Sequence, residues 1–353
     1  MRSPWNSKRT AFIVFAAIAM LTGGCLLNPT KPSNDRTEEF KFCWAVLDAF
    51  FIFQQNLPSN PYIYDTPSEL YAAVEEPYTY YWPPKRAEYV LRLLTTSSAG
   101  IGVVIDSVAP GYLIRAVFDD SPAQRAGLEK RDTIVAVDSQ SIALVSVADI
   151  DGYLLGDVGE QKKLTIRRED TTITITVTLG YYTAPSVITD TLDSLTAYIA
   201  LMVFSDSTAV PGGSAAEFSQ ALDETRWSEY TILDLRGNPG GVLEQCIEIT
   251  SQFVNEGADL VLSQERYYAE KLDAFLTRSV PWEALDRGKA IGRRFYVLVN
   301  ENTASASEVL VTALKTYRKN DITIVGTTTY GKARGQGLWD TPERGLAQVT
   351  YAL

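Results

Sequence analysis

The 353-residue chain contains no histidine. That removes the commonest general base and the commonest metal ligand in one stroke. Cysteine is scarce, with only Cys25, Cys43 and Cys246. No set of them has the spacing of a zinc site, and neither a metal nor another cofactor is expected. Basic charge is also short, with 32 Lys and Arg against 43 Asp and Glu, a formal net charge of −11. Without a clustered basic patch, nucleic acid is not an expected partner. Residues 11–21 form an apolar run that is too short for a comfortable transmembrane helix. What the chain does have is a 46% hydrophobic composition, ample for sizeable cores, and a length that suits two or three domains.

The first 24 residues read as a targeting segment rather than as fold. Arg2, Lys8 and Arg9 supply a positive region ahead of the apolar run, and Leu21-Thr22-Gly23-Gly24-Cys25 follows. Small residues before a cysteine resemble the lipobox of bacterial lipoproteins, although Thr22 stands where leucine is usual. The resemblance implies cleavage after Gly24 and lipidation of Cys25. The chain would then be anchored to a membrane of the bacterial cell envelope, facing the extracytoplasmic side. Residues 25–36 read as a flexible tether. Cys43 and Cys246 sit in apolar helical contexts and read as small buried thiols, with a disulfide between them left open for an exported protein.

Beyond the tether the chain reads as a multidomain α/β protein. Residues 37–95 read as helices with an aromatic-rich connection. Phe40, Phe42, Trp44, Leu47, Phe50 and Phe51 have the spacing of a buried helix face. The aromatic cluster Tyr78, Tyr80, Tyr81 and Trp82 reads as packing. Residues 96–182 read as a small β domain. It has strands over 100–105, 113–117 and 132–138, and a short helix that opens at Ser121-Pro122 and stops at Gly127. Residues 183–353 alternate strands and helices, including a strand over 197–204 and a helix over 215–222.

Three segments of this last region carry the candidate chemistry. Residues 294–300 read as a buried strand and 303–315 as a helix, with Ser305 at the junction. A helix N-terminus favours developing negative charge. Glu308 lies one turn beyond Ser305 and can share its face. Residues 321–326 read as the next strand, after which a turn carries Lys332. A serine hydroxyl needs a base before it attacks a carbonyl. With no imidazole in the chain, lysine is the leading candidate, a known variant of triad logic. The lysine must then be neutral, and the apolar strand before it is the expected source of burial. The third segment is a strand over 230–236, the turn Gly237-Asn238-Pro239-Gly240-Gly241, and an apolar helix from 242 to about 253. Glycines there let backbone approach a ligand just where a helix begins.

Ser305-Ala306-Ser307-Glu308, then Thr329-Tyr330-Gly331-Lys332-Ala333 with Gln336, resembles the catalytic segment of the carboxyl-terminal processing proteases. These form the PDZ-containing serine–lysine peptidase family S41. The resemblance implies Ser305 as nucleophile, Lys332 as general base and Gln336 as the group orienting the lysine. It also implies an oxyanion hole from the N–H groups of Gly241 and Ala306. Ala333 stands where the family has glycine, and Thr327-Thr328 where it has Glu-Pro. Glu75-Glu76-Pro77-Tyr78-Thr79 resembles the family's Asp-Pro-Tyr-Thr stretch. The β domain resembles a PDZ domain, which captures peptides by strand addition. The glycine turn from Ser98 to Gly102 is its natural carboxylate loop, making Gly100, Ile101, Gly102 and Val103 the candidate peptide-binding residues. The expected function is a serine endopeptidase acting on unfolded or C-terminally exposed polypeptides. The alternative is a non-catalytic peptide-binding scaffold on the same fold, against which the intact Ser305, Lys332 and Gln336 argue.

Overall fold

The computed structural model describes residues 36–353 apart from 95–96, 147–148 and 209. The targeting segment, Cys25 and the tether up to residue 35 lie outside the described residues. The chain divides into two compact units, each assembled from separated stretches.

The first unit comprises residues up to 90, 261–282 and 333–353. Its helix α1 (Glu38–Phe50) starts where the Thr37 hydroxyl accepts the Phe40 N–H at 3.2 Å, and Glu38 and Glu39 favour the positive end of the helix. Phe40, Cys43, Val46, Leu47 and Phe50 follow at helical spacing and are all buried. Helix α2 (Pro67–Ala72) opens with a capping box between Thr66 and Glu69. Strand β1 (Tyr80–Trp82) falls in the aromatic-rich connection, and helix α3 (Pro84–Leu94) follows it.

The apolar face of α1 packs with Trp339, Ala347 and Val349 from the far end of the chain. Buried Glu39 accepts the Tyr81 hydroxyl at 2.7 Å, the Glu343 N–H at 2.8 Å and the Thr341 hydroxyl. Buried Glu76 accepts the Thr79 and Thr350 hydroxyls at 2.9 and 2.7 Å. A carboxylate taken out of water must be satisfied in this way.

The second unit, residues 91–260 and 283–332, contains the β domain and the main sheet. Strand β2 (Ser97–Gly100) pairs with β9 (Gly180–Thr183). Between them run β3 (Val103–Val108), β4 (Gly111–Val117), helix α4 (Pro122–Ala126), β5 (Thr133–Val137), β6 (Gln140–Ser141), helix α5 (Asp151–Leu154), β7 (Gln161–Arg168) and β8 (Thr171–Thr178). The sheet order is β3-β4-β5-β7-β8, with β6 on β5, so β3 is an edge strand. The single strand expected over 100–105 is two strands. Gly102, at φ 81°, breaks it, and Ile101 and Gly102 lie between the pieces. Ser98, Ala99 and Gly100 are therefore paired strand, and only Ile101 and Gly102 are turn.

The main sheet has the order β10-β11-β12-β15-β16. It comprises β10 (Val187–Thr191), β11 (Thr196–Leu201), β12 (Tyr230–Asp234), β15 (Arg294–Val299) and β16 (Ile322–Gly326). β10 is antiparallel to β11, and the other pairs are parallel. Helices α6 (Gly213–Glu224), α7 (Leu243–Thr250) and α8 (Ala306–Tyr317) bury Phe218, Ile249 and Leu310 against the face carrying Ile199, Leu233 and Val297. In the sequence between β12 and β15 lie β13 (Asp259–Ala269) and β14 (Ala274–Glu283). With β17 (Gly335–Asp340), β18 (Leu346–Ala352) and β1 they form the sheet of the first unit. Cys43 and Cys246 are both buried free thiols. Burial pushes the Cys246 thiol up to about 12.

Candidate active site

The three segments singled out in the sequence all follow the C-terminal ends of adjacent parallel strands. β12 leads into residues 235–242, β15 into 300–305 and β16 into 327–332. In open α/β sheets this edge is where ligands bind.

Asn238 ties the first loop to the second. It is fully buried, its Nδ2 donates to the Leu201 carbonyl at 2.8 Å, and its Oδ1 accepts the Gly240 N–H at 2.9 Å. Its own carbonyl accepts the Ala304 N–H at 3.0 Å and the Ser307 hydroxyl at 3.2 Å. Gly240 and Gly241 both have positive φ, 99° and 140°. A Cβ at Gly240 would stand 2.8 Å from Ser305 Cβ and 2.9 Å from the Ala306 nitrogen, so only glycine lets the turn come this close. Gly241 bridges Phe204: the Phe204 N–H donates to the Gly240 carbonyl at 3.0 Å and the Val242 N–H to the Phe204 carbonyl at 2.7 Å. That pattern leaves the Gly241 N–H out of the bridge. Neither it nor the Ala306 N–H, in the first helical position of α8, donates to an acceptor among the described residues.

Ser305 has φ 56° and ψ −120°, a conformation costly for a residue with a side chain. It explains why α8 begins at Ala306 and not at Thr303 as the periodicity suggested. A strained strand-to-helix turn of this kind exposes the nucleophile in α/β-hydrolases. Thr303 braces it from behind, donating through Oγ1 to the Leu235 carbonyl at 2.8 Å.

The Glu308 carboxylate joins the serine and lysine loops. Oε2 accepts the Ser305 N–H at 2.9 Å and the Lys332 N–H at 2.8 Å. Oε1 accepts the Gly331 N–H and the Thr329 hydroxyl, each at 2.7 Å. Burial pushes this carboxyl up, but the hydrogen bonds from Thr329, Lys332, Gly331 and Ser305 outweigh it and hold it below the usual range. The Tyr330 N–H adds a bond to the Thr303 carbonyl at 3.0 Å. In the sequence alone Glu308 is a neighbour of Ser305 on the helix face. The serine followed three residues later by glutamate was the available signal.

Asp234, at the end of β12, accepts the Tyr198 hydroxyl at 2.8 Å and a forked contact from Arg236, including Nη2 at 2.6 Å. Burial pushes its carboxyl up, yet these partners hold it below the ordinary value. In the strand before Lys332, Ile322 is buried and Val325 is 45% exposed, and Lys332 itself is half-buried. Gln336 lies on β17 in the first unit, at a register irregularity, and its buried Nε2 has no acceptor among the described residues. Of the candidate peptide-binding residues, Val103 begins the edge strand β3 and Ile101 is buried in the β-domain core, 2% exposed. The Ile101 carbonyl is taken by the Ala123 N–H at 2.7 Å and that of Gly102 by the Phe118 N–H at 3.1 Å.

A parallel sheet with glycine turn, strained serine and lysine loop side by side, preceded by a β domain with an open edge strand, defines the class of a serine-type hydrolase with a peptide-binding module. The sequence profile of Peptidase family S41 matches residues 195–353, and that of the PDZ domain matches residues 113–168. The chain is a serine-type peptidase with a Peptidase family S41 region and a PDZ region, and it is similar to carboxyl-terminal processing proteases. The carboxy-terminal processing protease CtpA of Bacillus subtilis is 24% identical over 347 residues, covering 97% of this chain and 71% of the relative. The carboxyl-terminal-processing protease of a Picosynechococcus species is 27% identical over 330 residues, 90% of this chain and 74% of the relative. Among solved structures, the photosystem II D1 C-terminal processing protease aligns at a TM-score of 0.51 and 23% identity, covering 90% of this chain and 88% of that one. An S41 protease from Bacteroides fragilis aligns at a TM-score of 0.58 and 15% identity, covering 91% and 85%. These two likenesses show the fold.

Proposed function

We propose that the chain is an exported, lipid-anchored endopeptidase that cuts polypeptides near C-termini captured by its PDZ domain. Ser305 is the nucleophile and neutral Lys332 takes its proton as the hydroxyl attacks a peptide carbonyl. The oxyanion rests on the N–H groups of Gly241 and Ala306, an arrangement that supplies several kcal/mol of transition-state stabilisation. Lys332 then protonates the leaving amine, and water resolves the acyl-enzyme. Gln336 orients the lysine, a role that rests on the family resemblance. Lowering the lysine pKa from about 10.4 to near 7 requires roughly 4 kcal/mol of differential stabilisation. Cys25 carries the lipid, which places the peptidase on the extracytoplasmic face of a bacterial membrane.

One observation carries the reading: the N–H groups of Gly241 and Ala306 have no acceptor among the described residues, and the glycine turn packs against a serine whose backbone is held in a strained turn. The test is cleavage of an unfolded protein with an apolar C-terminus by Ser305→Ala, Lys332→Ala and Lys332→Arg. Each should be inactive while folded, the last because arginine stays protonated. Undiminished cleavage by any of them overturns the serine–lysine mechanism. Peptide binding without cleavage by the unaltered chain would instead support the scaffold function.

A further inference from the structure

The two N–H groups assigned to the oxyanion come from different loops. Gly241 follows β12, and Ala306 follows β15. Chain continuity does not set their spacing, so contacts between the loops must.

Asn238 makes such contacts in two directions. Its backbone carbonyl accepts the Ala304 N–H at 3.0 Å and the Ser307 hydroxyl at 3.2 Å. Ala304 stands just before Ser305, and Ser307 just after Ala306. One oxygen thus grips the chain on both sides of the Ser305–Ala306 pair. The side chain faces its own turn, where Oδ1 accepts the Gly240 N–H at 2.9 Å. The Gly240 carbonyl in turn accepts the Phe204 N–H at 3.0 Å. Gly240 is therefore held at both ends, and that carbonyl shares its peptide plane with the Gly241 N–H. Nδ2 donates to the Leu201 carbonyl at 2.8 Å, and the Asn238 N–H to the Leu235 carbonyl at 3.1 Å. All four polar groups of this fully buried residue are engaged. Two other ties between the loops grip the turn ahead of it. Asn300 Oδ1 accepts the Gly237 N–H at 3.0 Å, and the Thr303 hydroxyl donates to the Leu235 carbonyl at 2.8 Å.

We propose, on the serine–lysine reading above, that Asn238 is the positioning residue of the oxyanion hole. It sets the spacing and aim of the Gly241 and Ala306 N–H groups without touching substrate. Oxyanion donors work by being in place before charge develops, so the residue that aims them controls the rate. The carboxamide suits the task because it offers an acceptor to Gly240 and a donor to Leu201 at once. A carboxylate of the same shape offers acceptors to both.

A peptide aldehyde tests the assignment. The probe carries the sequence ahead of a bond that the unaltered chain cuts in an unfolded protein, and its twin ends in the matching alcohol. Ser305 Oγ adds to the aldehyde carbon, the carbonyl π bond opens, and the Oγ proton passes to Lys332. The former carbonyl oxygen then sits in the hole as an anion, whereas the alcohol forms no adduct. Asn238→Asp keeps the bond to Gly240 but sets an acceptor against the Leu201 carbonyl. It should lower kcat about 100-fold with KM little changed, as a misplacement near 1 Å does. Its preference for aldehyde over alcohol should fall roughly tenfold or more. Loss of folded molecules lowers both affinities alike, so their ratio reads the hole alone. Ser307→Ala, which removes one of the two bonds to the Asn238 carbonyl, should lower the same ratio several-fold. An unaltered chain that cuts no bond, or that does not prefer the aldehyde, overturns this role together with the serine–lysine reading. If the unaltered chain prefers the aldehyde and Ser305→Ala does not, that reading stands, and full preference in Asn238→Asp then overturns the positioning role alone.

Discussion

Glu308 Oε2 accepts the backbone N–H of Ser305 and the backbone N–H of Lys332 at the same time, at 2.9 and 2.8 Å. One carboxylate oxygen thus fixes the main chain of the candidate nucleophile relative to the main chain of the candidate base. Glu308→Gln keeps the size but offers an amide that cannot accept from four donors at once. A misplacement near 1 Å costs on the order of 100-fold in rate. Glu308→Gln is expected to lower kcat by about that factor with KM little changed. Steady-state kinetics beside circular dichroism decides it, and an unaltered kcat would remove Glu308 from any positioning role.

The same carboxylate predicts a pH effect on stability. Its folded-state pKa lies below the ordinary value, since its hydrogen bonds outweigh burial. A group of this kind contributes stability above its unfolded pKa and loses it as pH falls through its folded pKa. Stability of the wild type should therefore fall more steeply than that of Glu308→Gln on acidification below about pH 4.3, the unperturbed glutamate value. Denaturant melts of both proteins across that range provide the measurement, and parallel curves would contradict the prediction.

Gly240 and Gly241 should respond differently to alanine. At Gly240 the new methyl meets Ser305 and Ala306, so Gly240→Ala should displace the Ser305 turn and abolish cleavage, with a stability loss of about 1–3 kcal/mol. At Gly241 it runs into the Phe204 carbonyl, which cannot yield as a flexible side chain can. Gly241→Ala should be the less stable of the two, as thermal melts would reveal. The opposite ranking would mean that the Phe204 bridge gives way easily.

Edge strand β3 offers a free side for strand addition, and its start lies beside the Gly102 turn. A tail bound there gains main-chain hydrogen bonds and needs its terminal carboxylate captured. Substrates ending in an apolar residue should be cut faster than matched substrates ending in an acidic one, and amidation should slow cleavage. Deleting residues 98–180 should change kcat/KM for tailed substrates far more than for short peptides without the tail. Equal rates for apolar, acidic and amidated ends would show that the domain does not read C-termini.

Cys25 is the expected lipid site. Expressed in bacteria, the chain should lose residues 1–24 and fractionate with membranes. One acyl chain binds only marginally, so more than one is expected in the mass spectrum. Cys25→Ser with unchanged mass and membrane binding would refute lipidation at this residue.

The parts legible in the sequence were those with local periodicity. β12, β15 and α8 follow from runs such as Tyr230–Asp234 and from helical spacing after Ala306, and the motif residues marked the turns between them. What was hidden depends on backbone conformation or distant pairing. The positive φ of Ser305 moved the helix start by three residues, and that of Gly102 split a strand. β1 pairs Tyr80 with Gln348, a partnership that no local pattern announces. Asn238 and Glu308 act on backbone groups, and backbone N–H and C=O groups carry no signature in a one-letter code.

The first unit draws its central strand, β18, from residues 346–352, while α1, which packs on it, spans residues 38–50. A ribosome makes these pieces some three hundred residues apart. Nascent α1 therefore emerges with Phe40, Leu47 and Phe50 unprotected, and Glu39 and Glu76 lack their partners Thr341 and Thr350 until the last of these residues leaves the tunnel. Such long-range closure is slow and exposes sticky surface during synthesis. The second unit does not wait for β18, because its PDZ region and its parallel sheet are complete once Lys332 has been made. The loops carrying Ser305 and Lys332 thus leave the ribosome ahead of β18, and this chain's demand for chaperones should centre on the segment around α1.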